Sequence, residues 1–227
     1  TLNEESKMKI ISAAHVLTMN KNLEYIADGA VLVNGQTIAA IDKREKLIQQ
    51  YPHVEHEHHP NGLLMPGLIN THCHSGLLRG TAEGLPVWDW LQQFIDPMHR
   101  VLLPEDAKIA SYLCYAEALL SGTTTIVDMW RYMDSSAEAA EQLGIRAVLV
   151  PYVAEHPDHN YFETLKTNEA LIQRWHEQAN GRINVWVGLE HLFYAEQPAL
   201  ARIQNMCQEY QTGFHTHSNE SQFDVQE

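Results

Sequence analysis

The sequence predicts a parallel α/β architecture preceded by a small β-rich segment, and three observations point there. Strand-like and helix-like patterns alternate from about residue 61 onward. Histidines fall at the C-terminal ends of the strand-like runs: His72 and His74 on the first, His191 on the fourth, His215 and His217 on the fifth. No Gly-x-Gly-x-x-Gly phosphate loop follows any strand. Alternation alone admits an open doubly wound sheet or a (β/α)8 barrel. The missing loop weakens the open nucleotide-binding sheet, and the histidine placement suits a barrel, whose catalytic residues gather at the C-terminal strand ends.

The elements follow in order. Met8–Ala13, His15–Met19 and Gly29–Val33 read as short strands. Asn34-Gly35 between two apolar runs is a two-residue hairpin signal. A short helix is expected from Lys43 to Gln50. The stretch Tyr51–Pro60 reads as a surface strand or linker, and its His53, His56, His58 and His59 read as ordinary surface histidines. Leu63–Thr71 is a near-continuous apolar run, as expected of a strand buried on both faces. Helices are expected over Pro104–Ser121, closed by Gly122, over Ser135–Leu143, capped by Asp134 or Ser135 and stopped by Gly144, over Asn168–Ala179 and over Pro198–Tyr210. Strands two to five are Thr123–Met129, Ile145–Val153, Ile183–Glu190 and Thr212–His217. Two domains result, residues 1–60 and residues 61–227.

Composition excludes several function classes. Of 227 residues, 44% are hydrophobic and 19% charged, enough apolar material for a sizeable core and too few charges for a disordered chain. A formal net charge of −14 disfavours nucleic acid and anionic membrane surfaces as partners. No apolar run reaches the roughly 18 residues of a spanning helix, and Thr1–Glu5 shows no basic segment leading into an apolar one, so neither membrane span nor signal peptide is expected. Cys73, Cys114 and Cys207 do not make a disulfide framework, which sets a cytoplasmic expectation.

The chemistry is concentrated at strand ends. In His72-Cys73-His74, residues two apart share a strand face, so the imidazoles converge while Cys73 points towards the helix layer. Two imidazoles on a rigid strand suit a divalent metal. His217 is the expected third ligand, and Glu220, just above it in the loop, a proton-transfer group. His215 lies one layer deeper on the same face, as a supporting or packing residue. His191, beside Phe193 and Tyr194, is a candidate for hydrogen bonding to substrate or a buried structural histidine. After the first strand come Glu83, Trp88, Trp90 and Phe94, and Val87–Leu91 reads equally as an aromatic wall over a pocket or as helix core.

These residues carry a family resemblance. Pro66-Gly67-Leu-Ile-Asn-Thr-His-Cys-His-Ser75 resembles the strand-one metal motif of the amidohydrolase superfamily. Gly122–Asp128 resembles its second strand, His215–Glu220 its strand-five element, and Pro86–Leu91 its segment after the first motif. The match runs from about residue 8 to the end and is closest to the aminohydrolase and chlorohydrolase branch acting on heteroaromatic rings. The resemblance implies a (β/α)8 metal-dependent hydrolase barrel with a small β-sandwich built partly from residues 1–60. It implies one Zn2+, or Fe2+, held by His72, His74 and His217, with Glu83, Trp88 and His191 against a small heterocyclic substrate. Two-metal relatives carry a carboxylated Lys on strand four. Strand four here has none, and Glu190 stands where this branch has Pro.

The implied reaction is hydrolytic deamination of a purine- or pyrimidine-like ring. Metal-bound hydroxide attacks a ring carbon and Glu220 protonates a ring nitrogen. The runner-up is amino- or chlorohydrolysis of an s-triazine. The family also needs a His ending strand six and an Asp ending strand eight. Neither lies within residues 1–227, which supply five strands of a fold that takes about 250 residues. A catalytically silent fragment is therefore a further alternative. The open sheet edges lead to an expectation of homo-oligomers or of pairing with the missing C-terminal part.

Overall fold

The computed structural model describes residues 8–77, 84–156, 162–195 and 197–222. The chain divides into two compact units, residues 1–67 and 68–227.

In the first unit, β1 (Met8–Leu17), β2 (Tyr25–Asn34), β3 (Thr37–Lys43) and β4 (Glu55–Leu64) form one sheet in the order β3-β2-β1-β4. β1 runs antiparallel to β2 and parallel to β4, and β2 runs antiparallel to β3. The two expected strands at the N-terminus are one, since the pairing of β1 with β2 runs through Ala14 without a shift; the irregularity against β4 puts its extra residues on β4, between His59 and Leu63. The hairpin closes one residue later than expected. Asn34 pairs with Thr37, leaving Gly35 and Gln36 as the loop. The helix α1 (Arg44–Gln50) lays Leu47 on Ile10, Ala30 and Leu32. The histidine-rich stretch is strand rather than linker. In it His56 and His58 each share a hydrogen bond with the buried Ser12 hydroxyl, at 2.7 and 2.8 Å.

The second unit begins with β5 (Leu68–Cys73). The single strand expected over Leu63–Thr71 is two, broken at Met65-Pro66-Gly67, and its residues are not buried on both faces. Leu68 and Ile69 are 52% and 65% exposed. The apolar run was read as a central strand. Among the described residues β5 pairs only with β6 (Thr123–Trp130), which makes it an edge strand.

Between β5 and β6 lie α2 (Val87–Trp90), a π-helical turn over Leu91–Ile95, α3 (Asp96–Val101) and the long α4 (Pro104–Leu120). Then follow α5 (Met133–Leu143), β7 (Arg146–Pro151), α6 (Leu165–Trp175), β8 (Ile183–Val185), β9 (Val187–His191), α7 (Gln197–Glu209) and β10 (Phe214–His217). The expected helix starts are off by a few residues. Tyr132 in the left-handed conformation begins α5, and Thr164, whose hydroxyl accepts from the Thr167 N–H, begins α6.

All strand pairs in this unit are parallel, in the order β5-β6-β7-β8 and β9-β10. β8 and β9 are the single fourth strand of the sequence reading, interrupted at Trp186, whose N–H still donates to Leu149 of β7 at 3.0 Å. The core packs Ile126, Met129, Leu149, Ile183 and Leu189 of the strands with Tyr115, Ala137, Ala140, Leu171 and Ile203 of the helices. Gly188 lets β9 approach β7, since a Cβ there would stand 2.0 Å from the Pro151 carbonyl oxygen. No helix among the described residues is long and apolar enough to cross a membrane.

Candidate metal centre

His72 and His74 close β5, and His217 closes β10. Alternation on β5 brings the first two imidazoles to one side, as expected, and the fold brings the third to meet them. His72 Nε2 lies 3.1 Å from His74 Nε2 and 3.2 Å from His217 Nε2. The other ring nitrogens fix the tautomers. His74 Nδ1–H donates to the Met129 carbonyl at 2.7 Å, and His217 Nδ1–H donates to the Glu190 carbonyl at 2.8 Å. Both Nε2 atoms therefore present lone pairs. His72 Nδ1 meets His215 Nε2 at 2.8 Å, with the two rings stacked 5.1 Å apart. His215 is thus the support of His72.

Lone pairs aimed at one another repel unless a cation lies among them. Zn–N bonds of about 2.0–2.1 Å place ligand nitrogens about 3.4 Å apart in a tetrahedron, close to the separations observed. This donor set fits a divalent metal. Burial pulls the His72 pKa down, and that of His74 down to about 3, so both rings are in the neutral form that ligates. Glu190, His191 and His217 also cluster tightly enough to hold an ion. There, however, the His217 Nδ1 is already committed to a carbonyl.

Cys73 faces away from the histidines. Its thiol donates to Asp128 Oδ1 at 3.7 Å, and the neighbouring Cys114 together with burial pushes its pKa up, so it is an inert thiol. Asp128 is fully buried near the end of β6. It accepts from the Ser75 N–H at 2.9 Å, from Ser75 Oγ at 2.5 Å and from the Tyr115 hydroxyl at 2.5 Å. The turn that follows His74 is tied to β6 in this way.

His191 is 1% exposed and is the centre of a buried relay. Its Nδ1–H donates to Glu190 Oε2 at 2.5 Å, and its Nε2 lies 3.3 Å from Glu220 Oε2. Burial alone would depress the His191 pKa, but the two carboxylates outweigh it and raise it to about 9. Its ring stacks on Phe193 at 4.8 Å, and the Trp88 ring lies 5.5 Å away. Trp88 Nε1–H donates to Ser221 Oγ at 2.7 Å. A pocket beside this group is lined by Trp88, Gln92, Asp96, Tyr152, Phe162 and Glu190, among others, with a volume of about 120 Å3. The segment after β5 therefore serves both readings offered for it, Trp88 in the pocket wall and Trp90 against the core. Glu83 lies outside the described residues.

Sequence reading missed two contributors, Asp128 and Tyr152, and singled out Glu190 only as a departure on strand four. The Tyr152 ring sits 5.7 Å from His74 and 5.9 Å from His217. Asp128 did leave a signal, a carboxylate at the end of the otherwise apolar run Ile126-Val127.

Residues 63–227 match the model of the amidohydrolase family. The chain belongs to the amidohydrolase family. Among curated amidohydrolase relatives, a 5-methylthioadenosine/S-adenosylhomocysteine deaminase of Thermoanaerobacter pseudethanolicus is 33% identical over 96% of this chain and 51% of its own length. A 5'-deoxyadenosine deaminase of Methanobrevibacter smithii is 37% identical over 72% of this chain and 38% of its own. The chain spans about half the length of the first of these relatives. In fold it superposes with a TM-score of 0.87 on a zinc-bound adenosine deaminase from Xanthomonas campestris, at 24% identity over 96% of this chain and 51% of that one.

Proposed function

We propose that this chain provides the metal site and the proton-transfer carboxylate of a hydrolytic deaminase acting on an adenosine-derived heteroaromatic ring. In this reading residues 61–227 are the first five strand–helix units of a (β/α)8 barrel, and residues 1–60 are part of a β-sandwich. The observation that carries it is the convergence of the His72, His74 and His217 Nε2 lone pairs beside a pocket walled by aromatic rings.

His72, His74 and His217 hold the metal, with Zn2+ favoured by the three-imidazole donor set. When bound, the metal supplies Lewis acidity and makes water a nucleophile near neutral pH. The protein's own groups do the rest. Trp88 and Tyr152 flank the ring and keep bulk water from its faces. His191, held from behind by Glu190, presents Nε2 towards Glu220 and the pocket. Glu220 moves a proton to a ring nitrogen, which makes the adjacent carbon electrophilic, and water adds there as ammonia leaves. The charge of Glu220 opposes, weakly, the lowering of the His72 and His74 pKa values by burial, which supports a place for it near the site.

The test is ammonia release by zinc-reconstituted protein across 5'-methylthioadenosine, 5'-deoxyadenosine, adenosine, guanine and s-triazines. Release from the adenosine series, abolished in Glu220→Gln, is expected. A protein that binds zinc stoichiometrically and releases ammonia from none of these compounds overturns the reading.

A further inference from the structure

Glu190 touches no reacting atom in the reaction described above, and the fold treats it unusually. Along the β9–β10 pairing, Thr216 lies opposite Leu189 and His217 opposite His191, so Glu190 is the extra residue of a β-bulge. Bulges re-aim the groups around them. Here the Glu190 N–H donates to the Val153 carbonyl at 2.8 Å, while its own carbonyl accepts from the His217 ring. Its side chain, 3% exposed, turns inward: Oε2 accepts from His191 Nδ1–H at 2.5 Å, while Oε1 stands 3.7 Å from His217 Nδ1, beyond hydrogen-bond length.

We propose that Glu190 is a positioning residue serving two histidines by two routes: its carbonyl aims His217 at the metal, and its carboxylate locks the His191 ring against Glu220. The roles of His191 and Glu220 in this statement rest on the deaminase reading above. The division of labour has a sharp consequence. A side-chain substitution at 190 leaves the carbonyl in place, so metal binding survives it, while the alignment of His191 does not. The competing arrangement is a carboxylate that itself ligates metal with His191 and His217. It makes the opposite forecast.

The experiment compares wild type, Glu190→Gln, His191→Asn and the double variant, each loaded with zinc alone and tested for zinc affinity by chelator competition. The imidazole 15N and 1H resonances of His191 are recorded, and kcat and KM are measured with 5'-methylthioadenosine. In Glu190→Gln the zinc affinity is expected to stay within about threefold of wild type, and the downfield Nδ1 proton of His191 to move. The loss in kcat/KM is expected at about 10- to 100-fold, the range seen when a supporting hydrogen bond is removed. The double variant is expected to be no worse than His191→Asn, the non-additivity of residues acting through one another. A zinc affinity lowered more than tenfold, additive losses, or an unmoved His191 resonance each overturn the proposal. If Glu190→Gln does not fold, Glu190→Asp shortens the reach to His191 and must shift the same resonance. If wild type deaminates nothing, the deaminase reading fails, and the zinc and resonance measurements still decide the role of Glu190.

Discussion

Asp128 accepts both hydrogen bonds that Ser75 can offer, from its N–H at 2.9 Å and from its hydroxyl at 2.5 Å. The Tyr115 hydroxyl and, more weakly, the Cys73 thiol also donate to it. Burial raises the Asp128 pKa, and these donors act against that rise. Asp128→Ala strips four donors of their acceptor, the Ser75 N–H and hydroxyl, the Tyr115 hydroxyl and the Cys73 thiol. A loss of about 3 kcal/mol or more is expected, with Asp128→Asn losing less because the amide oxygen still accepts. Urea unfolding measures both. A change below 1 kcal/mol in Asp128→Ala, a marginal value for a buried network, contradicts the assignment.

His215 supports His72 without ligating. His215→Phe preserves the stacked ring but removes the nitrogen that meets His72 Nδ1. Zinc affinity is expected to fall about 10- to 100-fold, short of the complete loss expected for His72→Ala. Chelator competition on the two variants ranks them. Equal affinity in His215→Phe and wild type means that the 2.8 Å contact does not hold His72.

Two glycines mark where backbone and ring come too close for a side chain. A Cβ at Gly188 stands 2.0 Å from the Pro151 carbonyl oxygen, and one at Gly76 stands 1.6 Å from Trp130 Nε1. Neither neighbour is free to yield, one being strand backbone and the other a ring 1% exposed. Gly188→Ala and Gly76→Ala are each expected to destabilise by about 3 kcal/mol or to abolish soluble expression. Gly35→Ala, with nothing within 4 Å, meets no clash and costs only its positive φ of 58°. Thermal melts of the three variants provide the comparison.

His99 predicts an acid-side loss of stability. It is 1% exposed, ringed by Trp130, Tyr152 and Phe162, and burial, with Arg131 and His74 adding, lowers its pKa to about 3. The unfolded chain takes up this proton below its ordinary value near 6.5 and the folded chain does not. Stability present above pH 6.5 is therefore lost as pH falls from there towards 3, at up to about 1.4 kcal/mol per pH unit. His99→Phe keeps the aromatic packing and removes the proton site. Its urea midpoint is expected to fall less between pH 7.5 and pH 5 than that of wild type. Parallel slopes refute the assignment.

Much of this was legible in the sequence because it depends on local periodicity. The strand–helix alternation and the convergence of His72 and His74 with Cys73 turned away follow from period and spacing, which left the segment around Trp88 open between pocket wall and helix core. What was not legible depends on partners distant in the chain. The run around Leu68 and Ile69 reads as a doubly covered strand because composition reports hydrophobicity, not the number of neighbours. The break at Trp186 and the bulge at Glu190 arise where β9 must satisfy β7 and β10 at once. The position of Asp128 behind Ser75 joins residues 53 apart. Single-sequence patterns carry no term for such meetings.

The two carbonyls that orient His74 and His217 belong to the main chain of Met129 and Glu190. Every amino acid, proline included, carries that oxygen. The aim of these two ligands is therefore written in strand geometry and not in the residue types beside them. A side-chain change at position 129 or 190 leaves that oxygen, and so the aim of the ring it holds, in place. The orientation of the two imidazoles is thereby uncoupled from side-chain identity at these two positions.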